Sequence, residues 1–448
     1  MNTRSLTVVV LSLASVTACG APERPASAPT TQALSPREVL PFVADDYPRA
    51  LAEAKRTHRP LFVDTWAPWC HSCLSMRAYV FTDPSLAALA DDFVWLAVDT
   101  EKETNAPFVT RFPHQVSPTL WVIDPDRETP ILKWGGTATA KELVDLLSTA
   151  RLSAPEHATK TTLAFVRGNH ALAAGRTAEA ESAYREALTS AAPDDPHRAR
   201  AAEALISILS NKSELVDCVR FAREIATTLR PGSSHAAVLA QGLACAREAK
   251  RKDDVAVLAK EALVIAEHGE PGMVADDRSA LFEEVVETEK DAGSEREARN
   301  VARTWATFLE GEAARAPNSE ARAVFDAHRL SAYLAMGEPE RAVPMLSQSE
   351  REFQADYNPP ARLARAYLEM KRLPEADSAI KRAMSRVYGP RVMRVAVLAA
   401  DIAKAREDRA GEVQALEVGL AKTDVAPLTP GQQKLRGTLA ARLRALRP

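Results

Sequence analysis

The chain has 448 residues, enough for two or three domains rather than one. Its 57 basic and 60 acidic residues leave a formal net charge of −3, which excludes the charge excess that draws a protein to nucleic acid or to an anionic membrane surface. Hydrophobic residues make up 46% and aromatic residues only 6%, so a sizeable core is available and small side chains must fill much of it. Five cysteines, Cys19, Cys70, Cys73, Cys218 and Cys245, are too few for a disulfide-stapled scaffold, and the compartment has to be read from the N-terminus.

Met1 to Arg4 is short and basic, and Leu6 to Val16 is almost wholly apolar. Such a run is too short to span a bilayer core of about 30 Å, which takes roughly 20 helical residues, and it reads as a secretory signal. It ends in Val16-Thr17-Ala18-Cys19, which resembles the lipobox of bacterial lipoproteins. That resemblance implies a signal peptide over residues 1–18 and acylation of Cys19 as the mature N-terminus. Gly20 follows it, not the Asp of an inner-membrane retention signal, so in a Gram-negative cell the periplasmic face of the outer membrane is implied. The alternative is an ordinary signal peptide cut nearby, with Cys19 incidental. Residues 19–39, rich in Pro, Ala, Ser and Thr, cannot bury much apolar surface and read as a flexible tether. The body of the protein is expected to be exported into an oxidising compartment and to touch the membrane through its lipid alone.

From residue 40 the pattern alternates. A helix is predicted over Asp46 to Arg56, a buried strand over Pro60 to Trp66, and a long helical stretch after Cys70. Strands follow at Phe93 to Val98, Thr119 to Ile123 and Ile131 to Trp134, and a helix at Thr139 to Ala150 closes the unit. This is an α/β domain over residues 40–153. At the end of its first strand stands Trp69-Cys70-His71-Ser72-Cys73. With Cys70 at a helix N-terminus, the dipole and free N–H groups stabilise its thiolate, and such motifs bring a cysteine pKa to roughly 3.5–7.5. One turn later, Cys73 can attack a mixed disulfide formed by Cys70. His71 either raises the thiolate fraction as a neighbouring imidazolium or is a plain exposed side chain. The pair could also be half of a zinc site, although no second close Cys or His pair accompanies it.

These residues resemble the thioredoxin superfamily. Asp64, six residues before Cys70, stands where that family keeps a buried carboxylate that handles the proton of the second cysteine; a solvated loop carboxylate is the other reading. Trp66 and Trp69 match the family's two tryptophans, and Ser117-Pro118-Thr119 looks like the cis-proline loop that lies against the dithiol. Gly135-Gly136 matches the turn before the last helix. Tyr79-Val80-Phe81-Thr82-Asp83-Pro84 is similar to the C-terminal periplasmic domain of transmembrane disulfide reductases of the DsbD type and to related secreted thioredoxin-like proteins. The resemblance covers about Leu40 to Leu152 and implies Cys70, Cys73 and Asp64 as catalytic residues, with Trp69, His71, Ser117 and Pro118 facing the substrate. The dipeptide His71-Ser72 departs from the family's Gly-Pro and Pro-His forms and leaves the direction of electron flow open. No cofactor or metal is called for.

After Ala154-Pro155 the composition shifts to Ala, Arg, Leu and Glu. Gly168, Gly175, Ala180, Tyr184 and Ala187 sit at the small and large positions of a tetratricopeptide-type helix pair. Met336-Gly337, Ala342 and Leu346 repeat that turn and second helix, as do Leu363, Tyr367, Ala376, Ile380 and Ala383. Residues 160–448 are therefore read as an all-α solenoid, holding roughly eight repeats of about 34 residues. Such an array offers a surface to a protein partner or is purely structural; its Arg-rich faces, such as Arg362, Arg365 and Arg372, read as solvated. Cys218 and Cys245 lie on helical stretches at matching distances from the Pro231-Gly232 turn, which predicts either a structural disulfide or two buried thiols.

Two functions follow. In one, a lipid-anchored thiol–disulfide oxidoreductase, a reductase or electron relay by resemblance, uses Cys70 and Cys73 on a protein thiol or disulfide that the helices hold nearby. In the other, the helices carry the function of a scaffold lipoprotein and the first domain is an adaptor.

Overall fold

The computed structural model describes residues 39–114, 116–150, 159–421 and 428–447. The predicted signal segment, Cys19 and the tether up to residue 38 lie outside the described residues, as does the junction 151–158.

The first domain is built on five strands: β1 (Phe42–Ala44), β2 (Leu61–Trp66), β3 (Val94–Asp99), β4 (Thr119–Asp124) and β5 (Thr129–Gly135). They lie in the order β1-β3-β2-β4-β5. β1 and β2 run parallel to β3, whereas β4 runs antiparallel to both β2 and β5. β2 and β3 are buried along nearly their whole length, the mark of strands covered on both faces. Their side chains alternate between two cores. Leu61, Val63, Leu96 and Trp121 face α1 (Tyr47–Thr57) and α3 (Ala106–Arg111). Phe62, Trp95, Leu120 and Trp134 face the opposite layer, where α2 (His71–Ser75) and α4 (Ala140–Ala150) lie. The sequence pattern did not carry β1, which is too short to show a period.

The long helical stretch predicted after Cys70 is broken. α2 runs into a π-helical turn over Met76–Val80, and a 3-10 segment follows at Pro84–Leu89. Pro84 forces the break: Asp83 before it is extended, at φ −68° and ψ 126°, as the residue ahead of a proline must be.

From residue 159 on, the described residues are mainly helical. Seven antiparallel pairs follow in order: α5 (Lys160–Ala173) with α6 (Thr177–Ser190), α7 (Pro196–Asn211) with α8 (Leu215–Ile225), α9 (Ser233–Glu248) with α10 (Lys252–His268), α11 (Ala275–Asp291) with α12 (Glu295–Arg315), then, after the short α13 (Ser319–Ala323), α14 (Asp326–Met336) with α15 (Ala342–Glu352), α16 (Asn358–Glu369) with α17 (Leu373–Arg386) and α18 (Val392–Ala405) with α19 (Arg409–Ala421). A single helix, α20 (Pro430–Leu446), ends the array. The count falls one short of eight because the 21-residue α12, the extra α13 and the unpaired α20 use up length. Small residues set the spacing between helices: a Cβ on Gly242 of α9 would come within 2.3 Å of Ala222 in α8. Across that same contact Cys218 and Cys245 are bridged, with Cα atoms 6.3 Å apart. The protein is thus a thioredoxin-like α/β domain followed by a tetratricopeptide-like helical array.

The two parts share one core. The buried cluster that holds Phe62, Trp95 and Trp134 continues without a gap into the array through Ala164, Leu205 and Leu281.

Replacing both Cys218 and Cys245 by Ala is expected to cost about 3.5 kcal/mol, the loop-entropy value for a bridge of this span, read as a lowered urea midpoint for the loss of helical circular dichroism.

Candidate active site at the domain interface

β2 delivers the chain to Ala67, and Cys70 caps α2: its Sγ accepts a hydrogen bond from the backbone N–H of Cys73 at 3.1 Å. Cys70 and Cys73 are bridged. Both are buried, Cys70 at 3% and Cys73 at 0% exposure, in a small cluster with Ala67, Trp66 and Trp69. The Ser117–Pro118 peptide bond is cis. The Pro118 carbonyl accepts from the Gly136 N–H at 2.9 Å, and the Thr65 hydroxyl donates to the Thr119 carbonyl at 2.7 Å. Those two bonds tie the loop to the turn before α4 and to β2.

Asp64 is fully buried on β2, not solvated on a loop. Neither of its carboxyl oxygens has a hydrogen-bond partner, and its nearest cation, Arg77, stands 3.9 Å off. Burial pushes its pKa up to about 7, against a weaker downward pull from Arg77. A carboxyl group in that position can take up and give back a proton near neutral pH.

The surroundings of His71 come from far along the chain. Its Nδ1 lies 2.9 Å from an Asp276 oxygen on α11, and its ring packs 3.9 Å, centre to centre, from that of His328 on α14. It is neither plain nor free. Burial alone would lower its pKa, but the charge and hydrogen bond of Asp276 outweigh that and raise it. Burial drives the His328 imidazole down to about 3, helped by the charge on His71, so His328 is neutral near pH 7.

Trp69 is also held from the array. Its indole N–H donates to Glu101 at 2.9 Å, the second Glu101 oxygen accepts from the Arg391 backbone N–H at 2.7 Å, and the Arg391 guanidinium lies 4.7 Å from the Trp69 ring centre. Beside these contacts the Tyr388 hydroxyl donates to Asp99. Gly389 between them has φ +59°, and a Cβ there would fall 1.9 Å from the Glu101 carbonyl oxygen; no other residue fits that approach. Further round, Arg200 of α7 stacks 3.8 Å over Trp134, Ser234 of α9 reaches Glu142, and Tyr79 donates to the Ala321 carbonyl. A cleft of about 350 Å³ remains at one edge, between Trp69, His114, Ser117, Arg391 and Gln432.

The structure therefore gathers Cys70, Cys73, Asp64, Trp69, His71, Ser117 and Pro118 in one region; Cys19 lies outside the described residues, and Cys218 and Cys245 sit in the array. The sequence did not flag Asp276, His328, Glu101 or Arg391. Asp276 reads as an ordinary acidic residue in the first turn of a helix, and only the fold brings it to a residue 205 positions away.

Residues 43–125 match a family model described as thioredoxin-like. Over 58 residues the chain is 34% identical to a thiol:disulfide interchange protein DsbD of Vibrio vulnificus, covering 13% of this chain and 10% of the relative. Over 96 residues it is 28% identical to the protein of the same name from Pseudoalteromonas atlantica, covering 21% and 16%. The chain thus spans well under a fifth of the length of these relatives. Among solved structures, a tetratricopeptide repeat protein from Parabacteroides merdae aligns with 63% of this chain and 99% of its own at 11% identity and a TM-score of 0.40. The TPR2AB-domain:pHSP90-complex of yeast Sti1 aligns over 64% and 96% at 14% identity and a TM-score of 0.24.

Glu203, buried beside Arg200 under the interface, is likewise pushed up to about 7, chiefly by burial. For both Asp64 and Glu203 the folded pKa lies above the unfolded one, so between about pH 4 and pH 7 the native state holds protons that the unfolded chain has released. Stability is expected to fall as pH rises through that window. In Asp64→Asn the fall should shrink by up to about 4 kcal/mol, measured by urea unfolding at a series of pH values.

Proposed function

We propose that this protein is a thiol–disulfide oxidoreductase that works as a reductase or electron relay on protein thiols, tethered outside the cytoplasm through a lipid on Cys19. The observation that carries the reading is the Cys70–Cys73 pair at the head of α2, beside a fully buried Asp64 with two unpartnered oxygens. In the reduced state the Cys70 thiolate attacks one sulfur of a substrate disulfide. The substrate S–S bond breaks, one substrate thiolate leaves, and a mixed disulfide forms. Asp64 takes the Cys73 proton, and the Cys73 thiolate attacks Cys70 Sγ. That closes the Cys70–Cys73 disulfide and releases the second substrate thiol. Two electrons pass from the dithiol to the substrate, and an external thiol donor restores the pair. Trp69 and Ser117 line the cleft where a client segment would approach, and Pro118 follows Ser117 across the cis bond.

A second reading has its own support. The array covers His71 and Trp69 and leaves Cys70 almost without solvent contact, as suits a scaffold lipoprotein whose first domain is an adaptor. The two readings separate on turnover. With dithiothreitol as donor the wild-type chain is expected to reduce insulin and Cys70→Ser is not; equal activity in that variant sinks the enzymatic reading. In Asp64→Asn the resolving step should slow by about 100-fold or more at neutral pH. Cys73→Ala, expressed in its host, should accumulate mixed disulfides through Cys70, and their partners name the clients. For the anchor, labelled palmitate should enter the wild-type chain and not Cys19→Ala.

A further inference from the structure

We propose that His71, Asp276 and His328 form a binding site for a divalent transition-metal ion, and that the bound ion pins the helical array to the dithiol helix. Each residue offers one ligand atom, and the three atoms lie within 4.8 Å of one another. Two imidazoles and one carboxylate suit Zn²⁺ and its first-row neighbours, and not the hard, oxygen-seeking cations.

The individual residues are set up as ligands. His328 has 2% of its side chain exposed, and its Nε2 has no hydrogen-bond partner although it is buried. A buried polar nitrogen with nothing to bind carries a cost; the other nitrogen of this ring, Nδ1, stands 4.0 Å from the Asp276 carboxylate. The Nδ1 of His328 is held by the Ser279 hydroxyl at 2.5 Å, and the Trp305 indole N–H donates to that hydroxyl in turn. Outer contacts of this kind orient metal-binding histidines. Asp276 is 3% exposed and already bonds His71 through both oxygens, at 2.9 and 3.0 Å. The proton they share occupies the place an ion would take. The Glu283 carboxylate, 3.7 Å from His328 Nε2, or water can fill a fourth position.

The ion pair and ring contact alone account for two of the three residues as plain interface packing. They leave the His328 Nε2 unexplained. The placement also matters: one ligand sits between Cys70 and Ser72 in the motif, the other two on α11 and α14. An ion held by all three must leave, or the site must break, before the array can lift from α2. The metal binding itself does not depend on the redox reading.

The test uses the full chain with both disulfides closed and any metal stripped by a chelator. Calorimetric titration with ZnCl₂ is expected to give one equivalent bound. Asp276→Asn, His328→Gln and His71→Asn should each weaken binding by at least about 10-fold, with the fold checked by circular dichroism. His71→Asn guards against misfolding, since that side chain is 31% exposed. Unchanged affinity in folded His71→Asn and Asp276→Asn overturns the site. At a Zn²⁺ concentration 100 times the dissociation constant, opening that breaks the site falls by about 100-fold, so reduction of Cys70–Cys73 by a water-soluble phosphine should slow by up to that factor. Binding of one equivalent without any slowing overturns the pin.

Discussion

His71 follows Cys70 in the chain, and its imidazole is fixed by Asp276 and stacked on His328. Because neighbouring residues at a helix start cannot move independently, the dithiol and the helical array are one mechanical unit. Glu101 makes the same link on the other side of the motif, with Trp69 on one oxygen and the Arg391 backbone on the other. The reacting pair therefore sits between two clasps, each made of one residue beside a cysteine and one from the array. A solenoid is usually described by the partner on its inner surface. Here residues of α7, α9, α11 and α14 are covered by the chain's own first domain.

Burial does two jobs in this arrangement. It builds the core that runs unbroken from the sheet into the helices. It also raises the pKa of carboxyl groups that have no water to stabilise their charge, as at Asp64 and Glu203. Asp276, equally buried, goes the other way because the His71 cation faces it. Similar carboxyls in similar dryness have their pKa values pushed in opposite directions, and the difference lies in the partner that the fold supplies.

Much of this was legible from the residues. The spacing of Cys70 and Cys73, the apolar run Leu61-Phe62-Val63 and the Gly-Ala pattern of the repeats each report on a few neighbouring positions, and local chemistry settles them. The strand β1 was missed because three residues show no period, and the break at Pro84 was missed although the proline was visible. Asp276, His328, Glu101 and Arg391 were illegible for another reason. Each is an ordinary polar residue on its own helix or loop, and its meaning comes from a contact across 200 or more residues or from a neighbour the sheet places. Periodicity cannot encode which face of an array meets which edge of a sheet.

Contacts within the array join helices close in sequence, whereas those closing over the motif join residues 205 and 290 positions apart. A growing chain has no means of making the second kind early. Until the residues of α11 and beyond have emerged, every residue of the first domain is present while the partners that fix His71 and Trp69 from the array are not. The clasped dithiol belongs to the finished polypeptide; the partial one lacks both clasps.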